Sequence, residues 1–541
     1  MGDLNYPSKR RAWRTGWRLG AVGLLGVSAL LPAQPSGDAA PPAEKKPLPT
    51  FELVEKPAFP LPAHLEQRDI AAGAIAHDQL LKAGGDLFHA RFNGLDGVGA
   101  MRTAVGTPLH RFSNGPSGGG QPITVGAQSC GSCHGMPFAA GAGLAHTRVF
   151  VDPDGDGISP FNARGTTSLH GNGLLQLLAQ EMTEELQTAR DAAAAAAQRS
   201  PGAPVRRELA AKGVGFGELV ATADAAGVVH FDLSGVSGVE PDLVVRPFGW
   251  KGFVPALRNF VLAAANAGMG MQGEEFAWRL PAERQPDPDA DGVARELSVG
   301  DVTAMTIYNA GQETPHAVGH LVALGMAASP EAADLARVER GRELFARLGC
   351  ASCHRPELRL GNAVFEEPTQ RGNGHYLDRF LASKDPDYDP ARAVRFDLLT
   401  AAQPPRVEAS PGGGAIVRPY GDLKRHRMGR TLADTAGPSV VFDATLSPLK
   451  IGDQVRFVEP DVFLTAELWG VGNTGPWLHD DRAGTLDEAI RLHGEDEPPA
   501  VGEAGRSEAQ ESRDAYAALS GDERTALVAF LKSLVNFSPE D

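Results

Sequence analysis

The four cysteines of this chain form two pairs, Cys130-Gly-Ser-Cys133-His134 and Cys350-Ala-Ser-Cys353-His354, and each pair is followed at once by a histidine. No other feature constrains the fold as much, because it brings two thiols and an imidazole together within one turn of chain, twice. Histidine is 15 of 541 residues, so two CxxC pairs would both be followed by one by chance only about once in a thousand. Two thiols at this spacing add across the vinyl groups of a haem, and the adjacent imidazole is then held beneath the iron as an axial ligand. A thioredoxin-type redox pair explains neither histidine. A zinc site of four thiolates would have to join Cys133 to Cys350, 217 positions away, and it too leaves the histidines without a role. The reading is therefore two covalently bound haems c on Cys130, Cys133, Cys350 and Cys353, with His134 and His354 on the irons. All four thiols are then used, and no disulfide remains.

Such attachment belongs to an exported chain, and the N-terminus agrees. Lys9, Arg10, Arg11, Arg14 and Arg18 precede an apolar run from Leu19 to Ala33, which suits a signal peptide and is short for a membrane span of about 20 residues. Residues 1–34 are read as a signal peptide for general secretion to the periplasm or beyond. The residues after Arg10-Arg11 fit the twin-arginine route poorly. An uncleaved N-terminus is the alternative, and the one way this chain would meet a membrane. Nine prolines between Pro32 and Pro62 forbid helix, so residues 35–66 read as an extended linker. The first 34 residues carry +4, which leaves −20 on the rest of a chain whose total is −16. An acidic body of this kind repels nucleic acid and anionic lipid.

An internal echo sets each haem motif in a related unit. Gly341 to His354, GRELFARLGCASCH, reads as a helix with Leu344, Phe345 and Leu348 on one face, running into the haem loop. Ala83 to Gly94, AGGDLFHARFNG, repeats its Gly-x-x-Leu-Phe stem. There Phe88 stands 42 residues before Cys130, against five between Phe345 and Cys350, and a Gly-rich insertion including Ser113 to Gly120 fills the gap. Leu519 to Leu534 reads as a closing helix, with Ser520, Asp522 and Glu523 at its start and a stripe of Leu527, Phe530, Leu531 and Leu534. Between the motifs, Leu174 to Arg199 predicts one long helix stopped by Pro201 and Pro204, and Leu219 to Ala223 with Val228 to Phe231 predicts a short hairpin. With 64 Gly and 41 Pro, well above the usual ~7% and ~5%, the chain should be rich in loops. The expected fold is mainly α: two cytochrome c-like haem domains, 67–329 and 330–536, with long loops and a few short strands.

Thr465 to Gly494, TAELWGVGNTGPWLHDDRAGTLDEAIRLHG, together with the two CxxCH motifs, resembles the bacterial di-haem cytochrome c peroxidase and MauG superfamily. Arg246 to Gly252 (RPFGWKG), Gly421 to Asp434 (GDLKRHRMGRTLAD) and Leu492 to Gly494 look most like its di-haem oxidoreductase branch; rubber oxygenases share the architecture. The resemblance spans roughly His64 to Leu534. It departs where Asp480-Asp481 replaces a common Asp-Gly and where Gln176 stands in place of an acidic residue.

This resemblance implies roles for particular residues. His493, in the slot following His479-Asp480, is the implied sixth ligand of the second iron, with His426 and Met428 as runners-up and His479 as a loop brace. The N-terminal haem is the implied substrate site, reacting with peroxide or dioxygen, and Glu181 and Gln176 are the candidates for moving a proton there. His146, His170 or His230 could instead close that iron and make a pure electron carrier. Trp250 is the candidate electron bridge, with a packed core ring as the alternative. Thr474 and Pro476 fall in the tract through which peroxidase relatives bind calcium. Asp152, Asp154 and Asp156, and likewise Asp287, Asp289 and Asp291, begin like calcium loops, but Ala163 and Ser298 hold the twelfth positions instead of Glu, which favours plain turns. The expected function is a peroxidase-like oxidoreductase supplied by a small redox protein or another electron donor; the alternatives are a non-enzymatic electron carrier and a haem dioxygenase acting on an apolar substrate.

Overall fold

The computed structural model describes residues 63–98, 127–143, 149–151, 161–278, 287–288, 292–368, 393–434, 438–443, 445–497 and 505–539. Residues 1–62, which hold the expected signal peptide and most of the expected linker, lie outside the described residues, as do His146, residues 152–160 of the first acidic loop and residues 289–291 of the second.

A helix over His77–His89 precedes the first CxxCH loop, and a helix over Ala332–Arg347 runs into the second. Their apolar stripes are buried: Leu80, Leu87 and Phe88 in the first stem, Leu344 and Phe345 in the second. Each stem packs against a further helix, Val299–Ala310 for the first and Gly521–Lys532 for the second. Both of these closing helices begin at a serine, Ser298 and Ser520, whose hydroxyl accepts the N–H of Asp301 or Glu523 while that residue's carboxylate returns the bond, a reciprocal cap that fixes where the helix starts. The crossings are made at glycine. A Cβ on Gly84 would lie 2.1 Å from the Ala304 carbonyl oxygen, and one on Gly341 would lie 2.0 Å from that of Ala526, so any larger residue would force the backbones apart. Four residues further along each closing helix, Tyr308 and Phe530 cover the same glycines, each with its Cβ 2.7 Å from the imagined one. Their rings meet Phe88 and Phe345 at centroid distances of 5.2 and 5.3 Å. The sequence echo is thus also an echo in space.

Asn172–Arg199 forms the long helix expected between the motifs. Its first half is buried on all sides, including Leu174, Leu178, Met182 and Leu186. It packs on an antiparallel sheet of Val205–Ala211, Val214–Ala223 and Val229–Asp232. Ala221 pairs with Phe231 and Ala223 with Val229, which is the expected hairpin. Strand Val205–Ala211 escaped sequence reasoning, because only Leu209 and Ala211 of its seven residues are buried and no clean alternation results.

The mainly α expectation needs correction. Of the described residues, 34% are helical and 18% extended, so the fold is mixed. The extended part consists of eight small antiparallel sheets, of which only two have three strands. Many strands are two to four residues long, too short for a period-two pattern to stand out. One large core joins the long helix, its sheet and Val299–Ala310 to residues such as Leu358, Phe365 and Val417 from far down the chain. A smaller core of Leu344, Phe345, Leu527, Phe530 and Leu531 surrounds the second stem.

Candidate haem centres

The two CxxCH loops share one conformation. Cys130–Ser132 and Cys350–Ser352 each form a single 3-10 turn, and the N–H groups of His134 and His354 donate to Cys130 O and Cys350 O, both at 3.0 Å. His134 Nδ1 lies 3.1 Å from Gly141 O and from Thr167 O, and His354 Nδ1 lies 3.1 Å from Tyr420 O. A proton on Nδ1 that is donated to these carbonyls leaves Nε2 as the free base and fixes the ring's direction, the arrangement of an axial ligand. The stem phenylalanines Phe88 and Phe345 back the two imidazoles at centroid distances of 6.0 and 6.4 Å.

A largely apolar cavity of about 320 Å³ is lined by Cys350, Cys353, His354 and His493, with Leu468 and Trp477 among its walls. His493 follows the short helix Leu486–Arg491, and its Nδ1 lies 2.7 Å from Ala489 O. The rings of His354 and His493 stand 6.4 Å apart, inclined at 56°. A nitrogen–metal bond of about 2.0 Å plus about 1.1 Å to the ring centre puts two imidazoles on opposite sides of one iron roughly 6.2 Å apart. Burial, helped by the neighbouring His493, pushes His354 down to about 4, and burial pushes His493 down as well. Both rings are then neutral bases at neutral pH. These residues fit a haem.

His426 is differently placed. Its Nδ1 lies 2.7 Å from Glu508 and its Nε2 lies 3.0 Å from Asp422, so carboxylates hold both nitrogens. Burial opposes the charge, but Asp422, Cys353 and Glu508 prevail and raise His426 to about 11. It stands as an imidazolium 3.9 Å from Cys353 Sγ. Cys353, Asp422 and His426 are also the one ion-sized group of three acidic, cysteine or histidine ligands among the described residues, and the ion pairs just named account for it. Met428 lines the cavity. His479 is buried, with Nε2 3.3 Å from Asp434 and its ring 4.5 Å from that of Phe463, while its carbonyl accepts Gly165 N.

Trp250 sits between the two histidine anchors. Its indole donates to Gly165 O at 2.8 Å, and its carbonyl accepts Leu464 N at 3.0 Å. Two residues past Gly165 is Thr167, whose carbonyl holds His134. Four residues past Leu464 is Leu468, whose N–H donates to Pro419 O at 3.0 Å, next to Tyr420, whose carbonyl holds His354. A continuous path of covalent and hydrogen bonds therefore joins the two proximal imidazoles through Trp250. Beside it, the Lys251 ammonium is buried on Asp434 at 2.9 Å and on Pro460 O at 2.6 Å, and burial pulls it down to about 8.

The remaining candidates have other surroundings. Glu181 is buried, and its carboxylate meets Lys212 Nζ at 2.6 Å and the N–H groups of Gly361 and Asn362 at 2.9 and 3.0 Å. Gln176 accepts Leu257 N at 2.6 Å and leaves its buried Nε2 without a partner. His170 Nε2 lies 3.1 Å from Ala139 O, and burial pushes the ring down to about 4. His230 is on the outer strand of the hairpin sheet, 3.6 Å from Asp224. Thr474 and Pro476 border the same cavity as His354 and His493, with the Thr474 hydroxyl donating to Gly470 O. The Asp287 carboxylate accepts Gly292 N at 3.0 Å. Sequence reasoning missed Glu467, which borders the cavity with a buried oxygen lacking a partner and which burial raises to about 7. It also missed His89 and Tyr308, although aligning the closing helices on Ala304 and Ala526 would have set Tyr308 against Phe530.

No protein-family model and no curated protein matches this chain. Among solved structures, a MauG-like protein associated with microbial copper homeostasis is similar over 58% of this chain and 78% of that one, at 15% identity and a TM-score of 0.27.

Proposed function

We propose that this chain is an exported di-haem c-type oxidoreductase of the peroxidase kind, in which substrate reacts at the N-terminal haem and the C-terminal haem relays electrons. The observation that carries it is an asymmetry between two otherwise matching loops. At the second, His493 faces His354 across a buried, apolar cavity at the separation two ligands of one iron require. At the first, the candidates among the described residues, His170 and His230, each have other partners, which favours an iron with room for peroxide. When bound, the haems supply the redox chemistry. The chain's own residues do the rest: Gly141, Thr167 and Tyr420 orient the proximal imidazoles, apolar walls exclude water from the second centre, and Gly165, Trp250 and Leu464 connect the two.

The test begins with a pyridine haemochrome assay, which should find two haems c per chain. Cyanide should then bind one iron only, and peroxide should be reduced at the expense of a reduced donor. Cyanide binding at neither iron, even after the second is reduced, would make the chain an electron carrier. Oxygen uptake with an apolar substrate and no reaction with peroxide would make it an oxygenase.

A further inference from the structure

The two stem-and-closing-helix pairs cross at matching glycines with matching neighbours, so they can be read against each other. Gly84 matches Gly341, Ala304 matches Ala526, and Phe88 matches Phe345, with the near-equal distances given above. Two positions beside the haem loops break the match. Phe530 of the second pair is Tyr308 in the first, and Ala346, the residue after the stem phenylalanine, is His89. Packing alone does not require either change, since the second pair closes over its glycine with phenylalanine and alanine. What they add is a phenol and an imidazole, and the two meet: Tyr308 Oη lies 3.5 Å from His89 Nε2.

Their surroundings link the haem loop to solvent. Tyr308 and Cys130 pack on one small cluster with Phe88 and Leu169. His89 Nδ1 is 2.9 Å from where a Cβ on Gly131 would be, so the imidazole lies against the CxxCH loop itself. Phe88 spans the rings of His134, Tyr308 and His89 at 6.0, 5.2 and 5.1 Å. On their other side, Tyr308 and His89 form part of an open cleft of about 590 Å³ with Asp78, Lys82, Asp86 and Gln403, and His89 is exposed.

We propose that Tyr308 and His89 form a one-electron exit from the N-terminal haem, delivering oxidising equivalents to a phenolic donor in this cleft. The proposal rests on the peroxidase-like reading, since peroxide is the oxidant. Tyr308 gives one electron to the peroxide-oxidised haem and its phenolic proton to His89 Nε2, leaving a neutral tyrosyl radical beside an imidazolium. The donor phenol then gives one electron to the radical and its proton to water, and His89 returns the proton to Tyr308. A base is needed because a phenol is far harder to oxidise if it must keep its proton. Burial, with Glu313 nearby, holds Tyr308 protonated up to about 12, so the proton is there to be moved. Lys82 pairs with Asp86 at 2.6 Å, which leaves Asp78 as the cleft's unbalanced charge and favours neutral phenols over anionic ones.

The experiment mixes holoprotein with hydrogen peroxide and follows haem absorbance and freeze-quenched electron paramagnetic resonance together, in the parent, Tyr308→Phe and His89→Leu. Phe530 shows that phenylalanine suits this packing, so Tyr308→Phe should fold and take up both haems. The parent should give a tyrosyl signal, Tyr308→Phe should lose it while haem oxidation remains, and His89→Leu should form it at least tenfold more slowly. Steady oxidation of guaiacol should fall at least tenfold in Tyr308→Phe. An unchanged radical in Tyr308→Phe, or unchanged guaiacol turnover, overturns the exit while leaving the peroxidase reading intact. Absence of any haem response to peroxide in the parent overturns both.

Discussion

Replacing Glu181 by Gln separates a proton-moving role from a structural one. The Glu181 carboxylate holds three segments together: the long helix that carries it, the turn between strands Val205–Ala211 and Val214–Ala223 through Lys212, and the Gly361-Asn362 turn through two peptide N–H groups. Gln keeps the shape and one acceptor oxygen, but its amide presents N–H groups where an anion met an ammonium. Lys212 retains Glu185 at 3.1 Å, which is 42% exposed and therefore a weaker partner. Hydrogen bonds to charged groups are worth about 1.5–3 kcal/mol each, so losing one and weakening a second should cost roughly 2–4 kcal/mol. At about 2.1 cal/mol/K per residue, unfolding the unit from Ala58 to Asp541 has an entropy near 1 kcal/mol/K, and the melting temperature should drop by roughly 2–4 °C. Peroxide turnover per haem should stay within twofold of the parent. A proton-transfer group would behave in the opposite way, with turnover down about 10²- to 10⁴-fold. Such a fall, at unchanged haem content and melting temperature, would refute the structural assignment.

His493→Ala should convert one low-spin centre to high-spin and raise its potential, by about 59 mV for each tenfold by which the imidazole prefers the oxidised iron; an unchanged spectrum and potential would return the ligand's role to Met428. Trp250→Phe keeps a ring but loses the bond to Gly165 O, so both haems should bind while electron transfer between them, followed by stopped flow, slows; an unaltered rate would remove Trp250 from the route. Burial alone would raise the Asp434 carboxyl, but His479, Arg164 and Lys251 hold it below the ordinary range. Its stabilising contribution is then full above the ordinary carboxyl pKa and is lost as pH falls through it toward the lower folded value. Asp434→Asn should therefore melt earlier at pH 7 and show a flatter decline in acid, and an acid limb parallel to the parent's would show that other carboxylates set it.

What was legible in the sequence is what local chemistry dictates. Haem attachment fixes the CxxCH spacing whatever surrounds it, and Ser520 with Glu523 marks a helix start that the fold keeps. The matching helix of the first unit, Val299–Ala310, was not visible for a physical reason. Eleven of its twelve residues are buried, Gly300, Asp301, Thr303 and Thr306 included, so there is no polar face to set off an apolar stripe. Glu181 shows the other limit. Its place on a helix could be read directly, but its partners Lys212 and Gly361 come from 31 and 180 positions away, and partners decide what a carboxylate does.

The bonded path has a consequence for how the two centres act together. At each end it terminates on a carbonyl within hydrogen-bond distance of a histidine Nδ1, that of Thr167 for His134 and that of Tyr420 for His354. With an iron on each imidazole, loss of an electron there would make the Nδ1 proton more acidic and strengthen that bond, so the oxidation state of one centre would bear on the segment that leads to the other. Gly165 adds rigidity, since its N–H is held by His479 O and a Cβ there would meet Asp481 at 2.3 Å. Lys251, next to Trp250, is fixed by Asp434 and three carbonyls. Were irons bound at both loops, a segment held this tightly would have little freedom to absorb a change at one end and would pass it to the other. Coupling of that kind is reciprocal in free energy: whatever reduction of the second centre does to ligand affinity at the first, ligand binding at the first does to the potential of the second.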